Sequence, residues 1–451
     1  MSRFVTVDRN TDYLLPPSVD DWLPKDHLAR FVVDTIEQLD LSVLERQYRG
    51  SGSAAYHPAM MLGLLIYGYA TGVFSSRKIE TATYESVAFR YIAANAHPDH
   101  DSLCAFRRRF LKEVEGYFVQ VLGVAKKLKL LQMGTIALDG TKLHANASRH
   151  SALSYGHAEQ LERQLQLEVE ELLARAEVAD QQPLPAGMNL PEELARREQR
   201  LTAIRAAMVE LEARATERDA KEQAVYEAKV QAREERQAKT GKKPGGKPPQ
   251  PPTPGVRAND QLNLTDPDSR IMPARGNSFE QSYNAQAAVD TTSMLVVATG
   301  VTQAANDKEQ VAPALTTLAT LPAELGTVAT LVADNGYFSA ANVDACLERG
   351  ITPLLAAGRD PHHPHWAERF TEPPPLPESA DPVTRMKHAL KTQDGRATYA
   401  MRKQTVEPVF GIIKSVMGFR QFLLRGLQAV EAEWSLVTMA WNFKRMASMM
   451  R

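Results

Sequence analysis

Only two cysteines, Cys104 and Cys346, occur in the 451 residues. That excludes a disulfide framework and the paired thiolates of a zinc site, and it fits a reducing cytoplasm. Each cysteine is expected to pack as a small apolar side chain. Long apolar runs are also missing. The longest, MMLGLLIYGYATGV from Met60, is interrupted by glycines and too short to cross a bilayer, so a buried helix is expected there. The first residues, MSRFVTVDRNTDYLLPPSVDDWLP, lack the apolar core of a signal peptide. No membrane partner is expected. A net charge of −1 and a pI near 6.9 argue against a uniformly basic nucleic-acid binder. Acidic residues, however, are scarce in one stretch. From Arg385 to Arg425 the charged residues are Arg385, Lys387, Lys391, Asp394, Arg396, Arg402, Lys403, Glu407, Lys414, Arg420 and Arg425. A carboxylate such as Glu407 in that field is a salt-bridge partner or, if other carboxylates join it, a metal ligand beside a phosphate backbone.

What is present divides the chain. Residues 1–130 read as an all-α N-terminal domain, with apolar residues at helical spacing and caps at Ser75 or Ser76 and at Asp101 or Ser102. Arg107, Arg108 and Arg109 fan round one of its helices. They form a solvated face or reach phosphates, and the second reading makes the bundle a DNA-end-binding module. Residues 131–156 and 260–451 read as a mixed α/β domain. Its order is strand, long insertion, hairpin, helix, strand, helix, strand, helix. The insertion, 157–236, carries Leu194, Leu201, Ile204, Met208 and Leu211 at heptad spacing and Leu161, Leu165, Val169 and Leu172 as a looser stripe. An antiparallel coiled-coil hairpin turning at QQPLPAGMNLP is expected. Residues 237–259, rich in Pro, Lys and Gly, read as a flexible linker. His362, His363 and His365 suggest metal ligands but have no partner set at usable spacing, and a surface loop is expected.

Three carboxylates stand out. Thr135–Leu138 reads as a short strand closed by Asp139 and Gly140. Val328–Ala333 reads as a strand closed by Asp334, then Asn335 and Gly336. If the two strands are parallel neighbours, both aspartates emerge together, with Glu407 entering from a helix across that edge. An oxygen-only donor set suits hard divalent cations. Pro408 conflicts with a continuous helix, so the helix is expected to start with Thr405 as N-cap and Glu407 and Pro408 in its first turn. Tyr337 and Phe338 pack against DNA or fill the core, the core being expected for Phe338. Trp434 and Trp441 are expected in helix packing.

The stretches ALDGTKLHANAS, VADNGYF and TVEPVFGIIK, with YNAQAAVD and NDKEQ between them, resemble those of DDE transposases of bacterial insertion sequences, over most of the chain. The resemblance implies a ribonuclease-H-like mixed sheet with flanking helices. It implies metal-dependent DNA cleavage and strand transfer at element ends, with Asp139, Asp334 and Glu407 as the metal-binding triad and two Mg²⁺ or Mn²⁺ ions as cofactor. The partners it implies are double-stranded DNA, as terminal inverted repeats and target, and a second copy of the chain to hold two ends. A cytoplasmic, nucleoid-associated protein is expected. The group's Tyr-Arg-Glu-Lys signature is met by Tyr399, Glu407 and Lys414. Arg402 keeps its spacing from Tyr399 but lies one residue too far from Glu407, and Lys403 occupies the position the spacing assigns. Arg402, Lys403 and Lys414 are therefore candidate DNA contacts. The rival reading is a domesticated, catalytically inactive DNA-binding protein.

Overall fold

A computed structural model describes residues 18–48, 55–178, 189–242, 245–274, 276, 278–358 and 371–451. The chain forms two compact units, residues 1–144 with 283–451, and residues 145–282.

Among its described residues the first unit begins with a 3-10 turn, Val19–Trp22, and the helices α1 (Leu28–Ile36), α2 (Ser42–Glu45), α3 (Pro58–Thr71), α4 (Ser76–Glu85), α5 (Val87–Ile92), α6 (His100–Phe110) and α7 (Val114–Lys127). The apolar run is α3, buried on nearly every side. It starts at Pro58, whose missing N–H costs nothing in a first turn, and ends at Gly72 in the left-handed region. Asp99, not Asp101 or Ser102, caps α6 by accepting the Ser102 N–H at 2.8 Å.

The strand β1 (Thr135–His144) leads into the second unit. There β2 (Ala152–Ser154), α8 (Tyr155–Val178), α9 (Leu190–Thr240), β3 (Gln261–Asn263) and β4 (Arg270–Pro273) follow. The pairs Glu168–Arg197 and Glu162–Arg205 descend one helix while ascending the other, so α8 and α9 are antiparallel. Leu165, Leu201 and Ile204 of the expected stripes are buried between them, and Ala207 and Leu211 continue the row. The proposed turn, 179–188, lies outside the described residues. At 51 residues α9 is about 75 Å long. Among the described residues its buried positions end at Ala215.

Beyond that point the segment read as a flexible linker returns along the helix. Gly255 donates to Asp219, Arg218 donates to the Gly255 carbonyl at 2.8 Å, and Arg257 pairs with Glu222 at 2.9 Å. Those side-chain pairs supply what a proline-rich sequence cannot obtain from a core of its own. β2 and β3 pair antiparallel, as do β4 and the start of β5 (Phe279–Asp290).

The rest of β5 belongs to the first unit. It turns at 291–295 into β6 (Val296–Thr302), the expected antiparallel hairpin. Then follow α10 (Val311–Ala319), β7 (Thr330–Ala333), α11 (Ala340–Leu347), β8 (Thr352–Leu355), α12 (Pro382–Ala389), α13 (Gln393–Ser415) and α14 (Leu427–Met449). The sheet runs β6–β5–β1–β7–β8, with β1, β7 and β8 parallel. This is the mixed α/β sheet with flanking helices that the pattern predicts.

α14 explains why a helix can be buried all round. It packs on β6 and also on α3 and α7. Trp434 donates to the Gln286 carbonyl at 2.8 Å, Trp441 donates to that of Met294 at 2.9 Å, and Asn442 pairs with both backbone groups of Val296. Glu433, fully buried, accepts from Tyr69 of α3 at 2.8 Å and from the N–H groups of Leu423 and Leu424. Burial raises its pKa above the ordinary carboxylate value, against those hydrogen bonds and the charge of Arg107. Among the described residues no single helix is long and apolar enough to cross a membrane.

Candidate active site

The register of β1 and β7 sets the site. Their last pair is Leu138 with Ala333, so Asp139 and Asp334 follow side by side where the parallel ladder ends. β1 does not stop at Asp139 as the sequence suggests. It stays extended to His144 beside β5, and Gly140 permits this close approach. A Cβ there would overlap Gln286 Nε2 and lie 2.6 Å from Asp307 Oδ1 and 2.9 Å from Asn284 Oδ1. Asp334 caps the short turn Asn335–Tyr337, accepting the Gly336 N–H at 2.7 Å.

α13 crosses this edge, packing on β1 and β7. It begins at Gln393 with Thr392 as its cap and runs through Pro408, so no helix starts at Thr405. Proline in a helix interior costs about 3 kcal/mol or more. Here burial of Val406, Val409, Phe410 and Ile413 offsets that cost, and the Thr405 hydroxyl bonds back to the Met401 carbonyl at 2.6 Å.

Arg402 is buried and bridges two of the carboxylates. Its Nη1 lies 3.2 Å from Asp139 Oδ2 and its Nη2 lies 3.2 Å from Glu407 Oε1. The four-residue gap turns the two residues roughly 140° apart on an ideal helix. The length of the arginine side chain closes that gap. Glu407 itself is half-exposed. Burial draws the Arg402 pKa down, but Asp139, Tyr399, Glu407 and Asp334 outweigh it and leave the pKa raised. Lys403, next in sequence, is exposed. Arg402 thus faces the carboxylates and Lys403 faces solvent.

A fourth carboxylate stands beside these. Asp307 lies in the loop between β6 and α10, four residues before the helix. Its Oδ1 accepts from Asn284 Nδ2 and Gln286 Nε2, both at 2.7 Å. Gln286 Oε1 in turn accepts from the buried Tyr337 hydroxyl at 2.5 Å. The Tyr337 pKa rises well above its usual value through burial and the charges of Asp307, Asp139 and Asp334. Asp139 is pushed up to about 7, first by burial and further by Asp334 and Asp307, against the Gly140 N–H and Arg402. Sequence reading quoted Asp307 within the stretch NDKEQ but gave it no role in the site. Its signal was the pair Asn284 and Gln286, two amides at period two on a buried strand, which require polar partners.

The other candidates are elsewhere. Lys414 Nζ donates to the Lys142 carbonyl of β1 at 2.8 Å. Arg107 turns inward, 3.4 Å from the Phe74 carbonyl and near the buried Tyr69–Glu433 pair, while Arg108 is exposed and Arg109 stacks on Tyr48. No ion pair joins these arginines to the carboxylates among the described residues. Tyr337 is buried, and Lys387 sits over the ring of Phe338. Cys346 is buried, with its thiol pushed up to about 12 by burial, and Cys104 is partly buried. The histidines at 362, 363 and 365 lie outside the described residues.

The donors gathered here are all oxygens, which suits a hard divalent cation. One buried acceptor, Asn284 Oδ1, has no hydrogen-bond partner among the described residues. As the side chains stand, no three Asp, Glu, His or Cys groups among the described residues are close enough together to hold a metal ion. The guanidinium of Arg402 occupies the span between Asp139 and Glu407.

Comparison with known families gives two matches. Residues 17–109 match the family described as Transposase domain (DUF772), and residues 259–443 match the family described as Transposase DDE domain. No curated protein and no solved structure matches the chain.

Proposed function

The chain belongs to the DDE transposases of insertion sequences, and on that premise we propose that it cuts DNA at its element's ends and joins them to a target. The observation that carries this reading is the in-register pairing that brings Asp139 and Asp334 side by side, with α13 presenting Glu407 across the same edge. Asp139, Asp334 and Glu407 are the residues that would hold divalent cations. Two such ions would activate the attacking water or 3′-hydroxyl and stabilise the leaving oxygen.

The chain's own residues do the rest. Arg402 neutralises Asp139 and Glu407 in the cation-free protein and, displaced from them, offers its fork to a phosphate. Lys403, exposed on the same helix, contributes to a basic rim for the DNA backbone. Lys414 fixes the end of β1 through the Lys142 carbonyl and thereby positions Asp139. Residues 1–130, with Arg108 on their surface, are assigned to end binding. Two ends must be held for joining, so a dimer on DNA follows. The α8–α9 hairpin and the segment 237–259 stand as an insertion within residues 131–156 and 260–451, the catalytic region.

The test uses purified full-length protein and a supercoiled plasmid carrying the element's ends. Cleavage with Mg²⁺ or Mn²⁺, none with chelator, and joining of the freed 3′ ends are expected. Specific binding without cleavage at any metal concentration would support an inactive DNA-binding protein instead.

A further inference from the structure

We propose that Asp307 is a fourth carboxylate of the cation site, acting with Asp139 and Asp334, and that Asn284 Oδ1 is the neutral oxygen donor beside it. This rests on the reading of the site as one for divalent cations. Two glycines make room for the arrangement. A Cβ on Gly140 would meet Asp307 Oδ1 at 2.6 Å, and one on Gly336 would stand 2.9 Å from Asp334 Oδ1 and 3.7 Å from Asp307 Oδ2. Asp307 therefore lies against the residues that immediately follow Asp139 and bracket the cap of Asp334.

Its two oxygens are treated differently. Oδ1 is oriented by the Asn284 and Gln286 amides, whereas Oδ2 makes no hydrogen bond among the described residues and is the oxygen nearer Gly336. Arg402 is the cation acting on Asp139, and it is shared with Glu407.

The independent observation is Asn284. Its side chain is 1% exposed, its Nδ2 is committed to Asp307 and the Ala304 carbonyl, and its Oδ1 is unpaired beside Gly140. A buried acceptor left unpaired carries an uncompensated desolvation cost. An ion in this pocket would offset that cost.

The experiment is a titration of metal-free, full-length protein with Mn²⁺ alone, following free Mn²⁺ by electron paramagnetic resonance. Wild type, Asp139→Asn, Asp307→Asn and Lys308→Ala are compared after circular dichroism confirms folding. Asp307→Asn is expected to weaken saturable binding about tenfold or more, as Asp139→Asn does, with Lys308→Ala unchanged. If Asp139→Asn loses affinity and Asp307→Asn stays within twofold of wild type, the inference fails and the transposase site stands. If wild type shows no saturable binding, both fail.

Should Asp307→Asn not fold, Fe²⁺-generated hydroxyl radicals on the unaltered protein serve instead. Backbone cuts are expected at 303–309 together with 139–141 and 334–336. Cuts at the last two alone overturn the role of Asp307.

Discussion

Gly140→Ala is the smallest change that tests the packing of the site. The added methyl overlaps Gln286 Nε2 and approaches Asp307 Oδ1 at 2.6 Å and Asn284 Oδ1 at 2.9 Å. None of these can move alone. Gln286 is held by Asp307 and by the Tyr337 hydroxyl, and Asn284 is held by Asp307 and the Ala304 carbonyl. Overpacking of this kind costs about 1–3 kcal/mol. A broken charge-assisted bond between Gln286 and Asp307 would add up to about 3 kcal/mol. At roughly 2 °C per kcal/mol for a chain of this size, the overpacking alone lowers Tm by about 2–6 °C. Cleavage of end DNA should fall about a hundredfold, because misplacement by an ångström is enough to do so. Gly134→Ala is the control, since nothing lies within 4 Å of its added Cβ. Differential scanning calorimetry and a cleavage assay on both variants read the result. A Gly140→Ala protein with wild-type Tm and wild-type cleavage would refute the geometry argued here.

Further outcomes follow from other residues. Tyr337→Phe removes the bond to Gln286 Oε1 and leaves a buried acceptor, so urea denaturation should show a loss of about 1–3 kcal/mol. Lys403→Ala should weaken DNA binding similarly for all sequences and reduce the salt slope by about one, read by fluorescence anisotropy at several salt concentrations. Glu433 has a raised pKa in the folded state. It binds its proton more tightly folded than unfolded, so its contribution to stability is complete below the ordinary carboxylate pKa and is lost as pH rises through the raised one. Glu433→Gln should flatten that part of the profile of urea midpoint against pH. Glu433→Ala, which strands Tyr69 and two backbone N–H groups, should cost about 1–3 kcal/mol for each stranded group below the ordinary carboxylate pKa and less as pH rises through the raised one.

Much of this was legible in the sequence for identifiable reasons. The strand that ends before Asp334, the β5–β6 hairpin and the heptad seam are local patterns, and each appears where the sequence places it. The errors came where tertiary contacts overrule local rules. Pro408 breaks a helix in isolation, but the buried face of Val406, Val409, Phe410 and Ile413 carries α13 through it. Asp139 reads as a strand terminus because Gly140 follows. In the fold, Gly140 instead allows β1 to continue past the amides of β5. Segment 237–259 has no core of its own; its first residues continue α9, and its end is held to α9 by an ion pair and hydrogen bonds that no local window contains. Asp307 received no role in the site because its partners, Asn284 and Gln286, sit on a strand more than twenty residues away.

The most direct test of the central claim separates binding from cutting. Asp139→Asn, Asp334→Asn and Glu407→Gln are each incubated with labelled element-end DNA and Mg²⁺, and complex and cleaved strand are quantified on the same samples. The account predicts complex formation near wild type and cleavage reduced about a thousandfold, the loss of several kcal/mol of metal-assisted stabilisation. Wild-type cleavage by any one of the three would contradict it.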